Sequence, residues 1–353
     1  SDLDRKDRKG SYPYYGAQGI VDYLDDYTYE GDYLLVAEDG ENLRSRKNPI
    51  ANAASGKFRV NNHAHVIAES EKCNLVFLRH LLNMTDISAY VTGSTQPKLS
   101  QSNLCAMKLP LPSMAEQNAI ANVLSLFDRK IELNNQLNDY LEQLVDGKFQ
   151  ELFGGLNFNA TLSDVAEITM GQSPAGSSYN EEGAGIIFYQ GRGEFGWRFP
   201  KRRLYTTEPK RLACEGDVLM SVRAPVGDLN VAFENCCIGR GLAAIHSETP
   251  SFALYLMRFL KPQLEAYNGE GTVFGSINGK ALKSLEVALP SHNEVMQFES
   301  FAAPIDALIR SNENETRKLN NLRNYLLPKL MSGEIDVSKV DLTQLTNNHL
   351  ADY

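Results

Sequence analysis

The sequence predicts an α+β fold built by duplication: a β-rich globular domain followed by a long helix, written twice. Three observations carry this. Two stretches with helical, heptad-like periodicity, Met114–Phe153 and Asn293–Leu330, superimpose at a constant shift of 178 residues. The segments before each are rich in short β-type runs and glycine turns. At 353 residues the chain is also too long for one ordinary core.

The helices are read from their seams. In the first, Ile120, Phe127, Asn134 and Leu141 fall seven apart, with Val123, Lys130, Leu137 and Leu144 between them. In the second, Phe298, Ile305, Asn312, Leu319 and Leu326 do the same, interleaved with Phe301, Leu308, Glu315 and Leu322. Both seams carry an asparagine at the same repeat position, where a polar group costs stability but fixes register and partner. Asp128 matches Asp306 and Ile131 matches Ile309 at the same shift. Each helix follows a proline-bearing strand end, with Pro112 and Pro290 again 178 apart. Ser113 with Glu116, and Ser291 with Glu294, have capping-box spacing.

The repeat extends into the globular segments. Glu30-Gly31-Asp32 before Tyr-Leu-Leu-Val echoes Glu215-Gly216-Asp217 before Val-Leu-Met-Ser, and Tyr14–Gly19 echoes Phe188–Gly193. These matches divide the chain into 1–111, 112–155, 156–290, 291–333 and 334–353, as domain, helix, domain, helix and tail. One asymmetry stands out: the second half opens with Leu162–Gly171, a strand and turn for which the first half has no match, so the first domain is expected to be N-terminally incomplete.

No run of 18 apolar residues exists, which excludes a membrane-spanning helix. The five cysteines are odd in number and never spaced C-x-x-C, which points to a reducing compartment, the cytoplasm, and not to a disulfide framework. The net charge is −9, but it is sorted. From 42 to 68 there are five basic residues and no acid, whereas 22–41 holds eight acids and no base. A second basic stretch, 191–223, has eight basic residues against four acidic ones. Local concentrations of this kind, not the total, are what phosphate contacts require.

Several runs resemble one known family. Leu109–Gln117 followed by Ile120 and Asp128–Ile131 resembles the proline-to-helix junction of the DNA-specificity subunits of Type I restriction–modification enzymes. Tyr12–Gly19, Ala37–Gly40 and Val60–Val66 resemble that family's first target-recognition domain. Gly171–Pro174 and Tyr189–Gly191 resemble the second, and Tyr325–Gly333 its C-terminal end. The resemblance implies two α/β target-recognition domains at opposite ends of an antiparallel coiled-coil pair of long helices. Each domain would read one half of a bipartite double-stranded DNA target, and the helices would set the spacer. It further implies methyltransferase subunits carrying S-adenosylmethionine, motor–nuclease subunits that join for restriction, and no cofactor or catalysis in this chain.

Base reading needs paired hydrogen bonds: Arg or Lys to guanine, Asn or Gln to adenine. In the first domain the candidates are Arg44, Arg46, Lys47, Lys57, Arg59, Asn61 and Asn62, with Ser94, Gln96 and Lys98 from the loop 92–98. In the second they are Arg192, Arg198, Lys201, Arg202, Arg203 and Arg223, with Ser276, Asn278 and Lys280 from the loop 272–280. Trp197, between Phe195 and Phe199, is expected in the core.

Other patterns fail on context. Gly191-Arg-Gly-Glu-Phe-Gly196 fits a dinucleotide fingerprint, but Pro200 prevents the helix that must follow it. His63 and His65 share a strand face with no third metal ligand at suitable spacing. No amino-methyltransferase motif is found. A protein-holding scaffold of the same architecture, and an enzyme with a site assembled from both repeats, remain as alternatives; steep salt dependence of binding separates DNA reader from scaffold.

Overall fold

The computed structural model describes residues 8–269 and 275–339, and the chain divides into two compact units, Ser1–Asn134 with Asn314–Tyr353, and Asn135–Glu313. The first part of the loop 272–280 and most of the tail 334–353 therefore lie outside the described residues.

In the first unit, strand Tyr33–Ala37 lies between Ala51–Ala54 and Ala64–Ala68, antiparallel to both. Side chains alternate across a strand, so an uninterrupted apolar run needs cover on both faces. Leu34 and Val36 meet Leu78 and Leu82 of helix Leu75–Met84, while Leu35 meets Phe58 of a second sheet. That sheet runs Gly19–Leu24, Lys9–Gly16, Lys57–Val60, Tyr29–Glu30, with Lys9–Gly16 parallel to Lys57–Val60.

The second unit repeats the plan. Strand Val218–Ser221 lies between Leu229–Val231 and Leu242–His246, with Val218 and Met220 in one core and Leu219 in another. Ile186–Tyr189 runs parallel to Cys236–Ile238, the counterpart of the parallel pair in the first unit. A further strand, Glu167–Met170, extends this sheet beyond Leu242–His246. Among the described residues nothing corresponding pairs beside Ala64–Ala68, which matches the asymmetry read at 162–171.

The long helices are Met114–Phe153 and His292–Met331. Both start with the expected capping box. Ser113 N–H donates to Glu116 Oε2 (3.0 Å) and Glu116 N–H to Ser113 Oγ (3.3 Å); Ser291 and Glu294 repeat this at 2.8 and 3.4 Å. The helices pack antiparallel within each unit: Asp128 meets Arg323 in the first, and Phe149 meets Phe298 in the second.

The expected seam needs correcting at a few positions. Ile120, Phe127, Asn134, Phe298, Asn312 and Leu319 are buried, and Leu141, Ile305 and Leu322 partly so. Of the interleaved positions Val123 is buried and Phe301 and Leu322 partly so, but further buried positions lie four residues on: Leu124, Asn138 and Val145 in one helix, Ala302, Ile309 and Thr316 in the other. Leu137 is 42% exposed and Leu144 and Leu308 are exposed as well, so none of the three belongs to the seam. The paired asparagines do meet polar partners. Asn134 Nδ2 donates to Thr316 Oγ1 (3.3 Å) and Glu315 Oε2 (2.8 Å) in the first unit, and Asn312 Nδ2 to Asn138 Oδ1 (2.8 Å) in the second. With the shift of 178, Asn134–Thr316 and Asn312–Asn138 are the same contact made twice.

The matched aspartates anchor helix to domain. Asp128 accepts from His80 Nε2 (3.0 Å), Arg323 (2.7 Å) and Arg79. Asp306 accepts from Tyr255 OH (3.0 Å) and Arg198 (2.9 Å). His80 and Tyr255 occupy corresponding places on Leu75–Met84 and Pro250–Phe259. Burial opposes the charge of Asp128, but His80, Arg79 and Arg323 outweigh it and hold its pKa down to about 2. A lowered folded-state pKa stabilises above the ordinary value near ~3.9, and that stability is lost as pH falls through the folded value. The advantage of wild type over Asp128→Asn in urea midpoint is therefore expected to shrink between about pH 4 and pH 2, by about 2–3 kcal/mol of linkage. A gap independent of pH in that window would show the anchor to be uncharged.

Candidate DNA interface

Four chain segments converge at the ends of the buried strands in the first unit. The hairpin turn after Tyr15 meets the turn after Val60, where Asn61 N–H donates to Tyr15 O (2.9 Å). The turn after Ala37 meets the loop 92–98: Leu99 N–H donates to Glu38 O (2.7 Å), and Asp39 bridges Lys98. Arg44 ties the same loop down from the side, donating to Ser94 O (2.9 Å) and Gly93 O. The exposed groups at this edge include Asn62, Ser94, Gln96 and Lys98, with Lys98 paired to Glu38 at 3.0 Å.

The second unit builds the same edge. Gly239 N–H donates to Tyr189 O (2.8 Å), as Asn61 does to Tyr15. Ile277 N–H donates to Val222 O (3.0 Å), and Arg223 bridges Ser276, as Asp39 bridges Lys98. Ser100 and Asn278 each cap a following short helix, Gln101–Ala106 and Gly279–Lys283. Superimposing the contacts places Gln18 with Arg192, Asn62 with Arg240, Asp39 with Arg223, and Lys98 with Ser276. The scaffold repeats and its polar side chains do not.

The expected DNA-facing residues fall into three groups. Lys47, Asn62, Ser94, Gln96, Lys98, Arg192, Lys201, Arg202, Arg203, Arg223, Ser276 and Lys280 are exposed. Several hold acids: Arg192 Asp228 (2.7 Å), Arg202 Glu234 (2.6 Å), Arg203 Glu194 (2.6 Å). Among the described residues Lys47, Lys201, Arg223, Arg240 and Lys280 make no ion pair. A second group, Lys57 and Arg59, lies against the acid-rich hairpin: Arg59 pairs with Asp26, and Lys57 with Glu30 at 4.0 Å. The sorted acids and bases of the sequence are thus folded onto each other. A third group has local work: Asn61 Oδ1 accepts from His63 N–H (2.9 Å), and Asn278 Oδ1 from Ala281 N–H (3.0 Å).

Two expectations are corrected outright. Arg198 is only 4% exposed, held by Asp306 (2.9 Å), Glu142 (3.0 Å) and Tyr255 OH (3.2 Å), so it faces the helix and not a groove. Burial works against its charge, yet Tyr255, Asp306 and Glu142 more than compensate and raise its pKa. Arg46 is half-buried at φ +51°, donating to Asn83 O (2.7 Å) and Leu82 O (3.2 Å) at the end of Leu75–Met84. Trp197 is exposed, although Arg198 and Phe199 beside it are buried, so the core expectation for Trp197 fails too. His63 and His65 are separately engaged, by Asp39 Oδ2 (2.6 Å) and Leu99 O (2.7 Å). The expected residues omitted Gln18 and Arg240: the echo of Tyr14–Gly19 by Phe188–Gly193 already set Gln18 opposite Arg192, and aligning the two parallel strand pairs finds Arg240.

The sequence matches the family described as Type I restriction modification DNA specificity domain over residues 2–143 and 159–324. The chain belongs to this family. A putative type I restriction enzyme MjaX specificity subunit of Methanocaldococcus jannaschii is 35% identical, over 74% of this chain and 68% of that protein. The MjaIX specificity subunit of the same organism is 25% identical, over 87% of this chain and 80% of its own length. A crystal structure of a Type-I restriction-modification system S subunit from M. genitalium has a TM-score of 0.61 at 18% identity, over 92% of this chain and 89% of that one, a likeness of fold. Each unit thus contains one target-recognition domain of a DNA-specificity subunit, packed with the antiparallel segments of the two long helices that the unit holds. No helix of the described residues is long and apolar enough to cross a membrane.

Arg198→Ala is expected to destabilise the protein by about 3–5 kcal/mol, the cost of stranding buried carboxylates, read as a drop in urea midpoint. A midpoint within error of wild type would return Arg198 to the list of DNA-facing residues.

Proposed function

We propose that this chain is the non-catalytic reader of a bipartite double-stranded DNA target, each loop edge addressing one half-site. The observation that carries this is the edge built twice on one backbone plan with different side chains. Identical scaffolds fix the same approach to a groove, while Gln18, Asp39, Asn62 and Lys98 in one unit against Arg192, Arg223, Arg240 and Ser276 in the other present different hydrogen-bonding sets. Two different half-sites follow. Lys47, Lys201, Arg202, Arg203 and Lys280 add positive charge suited to phosphates. The long helices set the spacer: 40 residues correspond to about 60 Å, somewhat under two turns of duplex.

Methyltransferase recruitment is supported by the central helix. Leu133, Leu137, Tyr140 and Leu144 form one apolar stripe at helical spacing, and all are exposed, Tyr140 by 69%. Exposed apolar runs of this kind mark protein contacts. Motor–nuclease subunits would join the assembly for restriction.

Exchanging 156–290 for the matching domain of another family member, then mapping methylated bases with the cognate methyltransferase, is expected to change one half-site and leave the other and the gap intact. An unchanged target would refute modular reading. Leu137→Lys with Tyr140→Lys is expected to weaken methyltransferase binding at least tenfold while thermal unfolding stays near wild type, checked by calorimetric titration; undiminished binding would move the docking face elsewhere.

A further inference from the structure

Strand Val218–Ser221 is reached through a tight turn, Cys214–Asp217. The Asp217 amide donates to Cys214 O (3.1 Å), the Cys214 amide donates back to Asp217 Oδ2 (2.8 Å), and Gly216 takes φ +88°. That left-handed conformation is glycine's own, and it brings the first and last side chains of the turn together. Sheet register supplies a third group. Val218 pairs with Ile245, which sets His246 beside Asp217 with Nδ1 2.6 Å from Oδ1. One sulfur, one carboxylate oxygen and one imidazole nitrogen all lie within 4.8 Å of one another. The Asp217 side chain is 6% exposed and forms the floor, while His246, 53% exposed, and Cys214 stand at the rim.

We propose that Cys214, Asp217 and His246 form a Zn2+ site, with water in the fourth position. Thiolate, imidazole and carboxylate are the donors zinc takes, and bonds of about 2.0–2.3 Å in a tetrahedron require donor separations of about 3.3–3.8 Å. Binding exchanges a proton for metal: the thiol proton of Cys214 leaves as Zn2+ enters, and His246 coordinates through Nδ1 with its ring hydrogen carried on Nε2. Surrounding charge suits a cation, since Glu167 and Glu248 both act on His246. Cys236 is fully buried and its sulfur is not part of the cluster.

The site belongs to the second domain alone. The corresponding turn of the first, Tyr29-Glu30-Gly31-Asp32, has neither cysteine nor histidine. It also sits at the end of its strands away from the DNA-facing edge: Asp217 and His246 mark one end of Val218–Ser221 and Leu242–His246, and Val222 and Gly241 mark the other. The metal therefore acts as a staple on the two strands that present Arg223 and Arg240, not as a catalytic centre.

Co2+ serves as the probe, added to the full chain under a reductant that does not bind metal. Wild type is expected to take up one equivalent with a thiolate-to-metal charge-transfer band and tetrahedral d–d absorption, both abolished by Zn2+. Cys214→Ser is expected to lose the charge-transfer band, His246→Ala to weaken binding at least tenfold, and Cys105→Ser, which removes another exposed thiol, to behave as wild type. Zn2+ is expected to raise the melting temperature of wild type and not of Cys214→Ser. Absence of the band in wild type, or its persistence at full affinity in both Cys214→Ser and His246→Ala, would overturn the assignment.

Discussion

One carboxylate per repeat ties the long helix to its domain, and the rest of each unit is arranged around that tie. Asp128 and Asp306 stand at the same repeat position on different helices and accept from the same place on the domain, His80 in one and Tyr255 in the other. The supporting cations come from different sites, Arg79 and Arg323 for Asp128, Arg198 for Asp306. A buried carboxylate left without such partners is strongly destabilising. The pairing therefore fixes where the helix of each unit sits against its domain core.

From that anchor the structure leads outward to the loops. The strand buried on both faces ends where the loops begin, Ala37 leading to Glu38–Arg44 and Ser221 to Val222–Asp228. Backbone hydrogen bonds to the neighbouring turns hold each loop, with side-chain ties added at Glu38, Arg44 and Asp228, while Gln96 and Arg223 stay exposed. That separation lets one scaffold carry two different recognition surfaces. It also reconciles a net charge of −9 with nucleic-acid binding. Much of the acid is consumed in local pairs, such as Asp26 with Arg8 and Arg59, leaving cations such as Arg223 and Arg240 without acidic partners among the described residues.

The duplication, both helices to within a residue, their caps and the paired asparagines were legible because each repeats at one shift and rests on local chemistry. The seam was half legible for a physical reason. Leu133, Leu137 and Leu144 are apolar but face outward, while Asn138 and Thr316 are polar and face the partner helix, so hydrophobicity alone finds Val123 and misplaces Leu137 and Leu144. Arg198 misled in the opposite way. Its carboxylate partners lie 56 and 108 residues away, and no local pattern announces that a charge is buried. Arg46 was hidden by a positive φ that sequence does not display. Gln18 was legible in the echo of Tyr14–Gly19 by Phe188–Gly193, which sets it opposite Arg192, whereas Arg240 became visible only once strand pairing aligned Val60 with Ile238.

The measurement closest to the central claim is a methylation map. This chain is expressed with its cognate methyltransferase in an unmodified host, and modified bases are read across the genome. The account requires one new motif made of two unlike half-sites separated by a fixed gap, absent when the chain is omitted. A continuous motif, or none while the methyltransferase is active and bound to the chain, would contradict it and favour a scaffold without DNA-reading function.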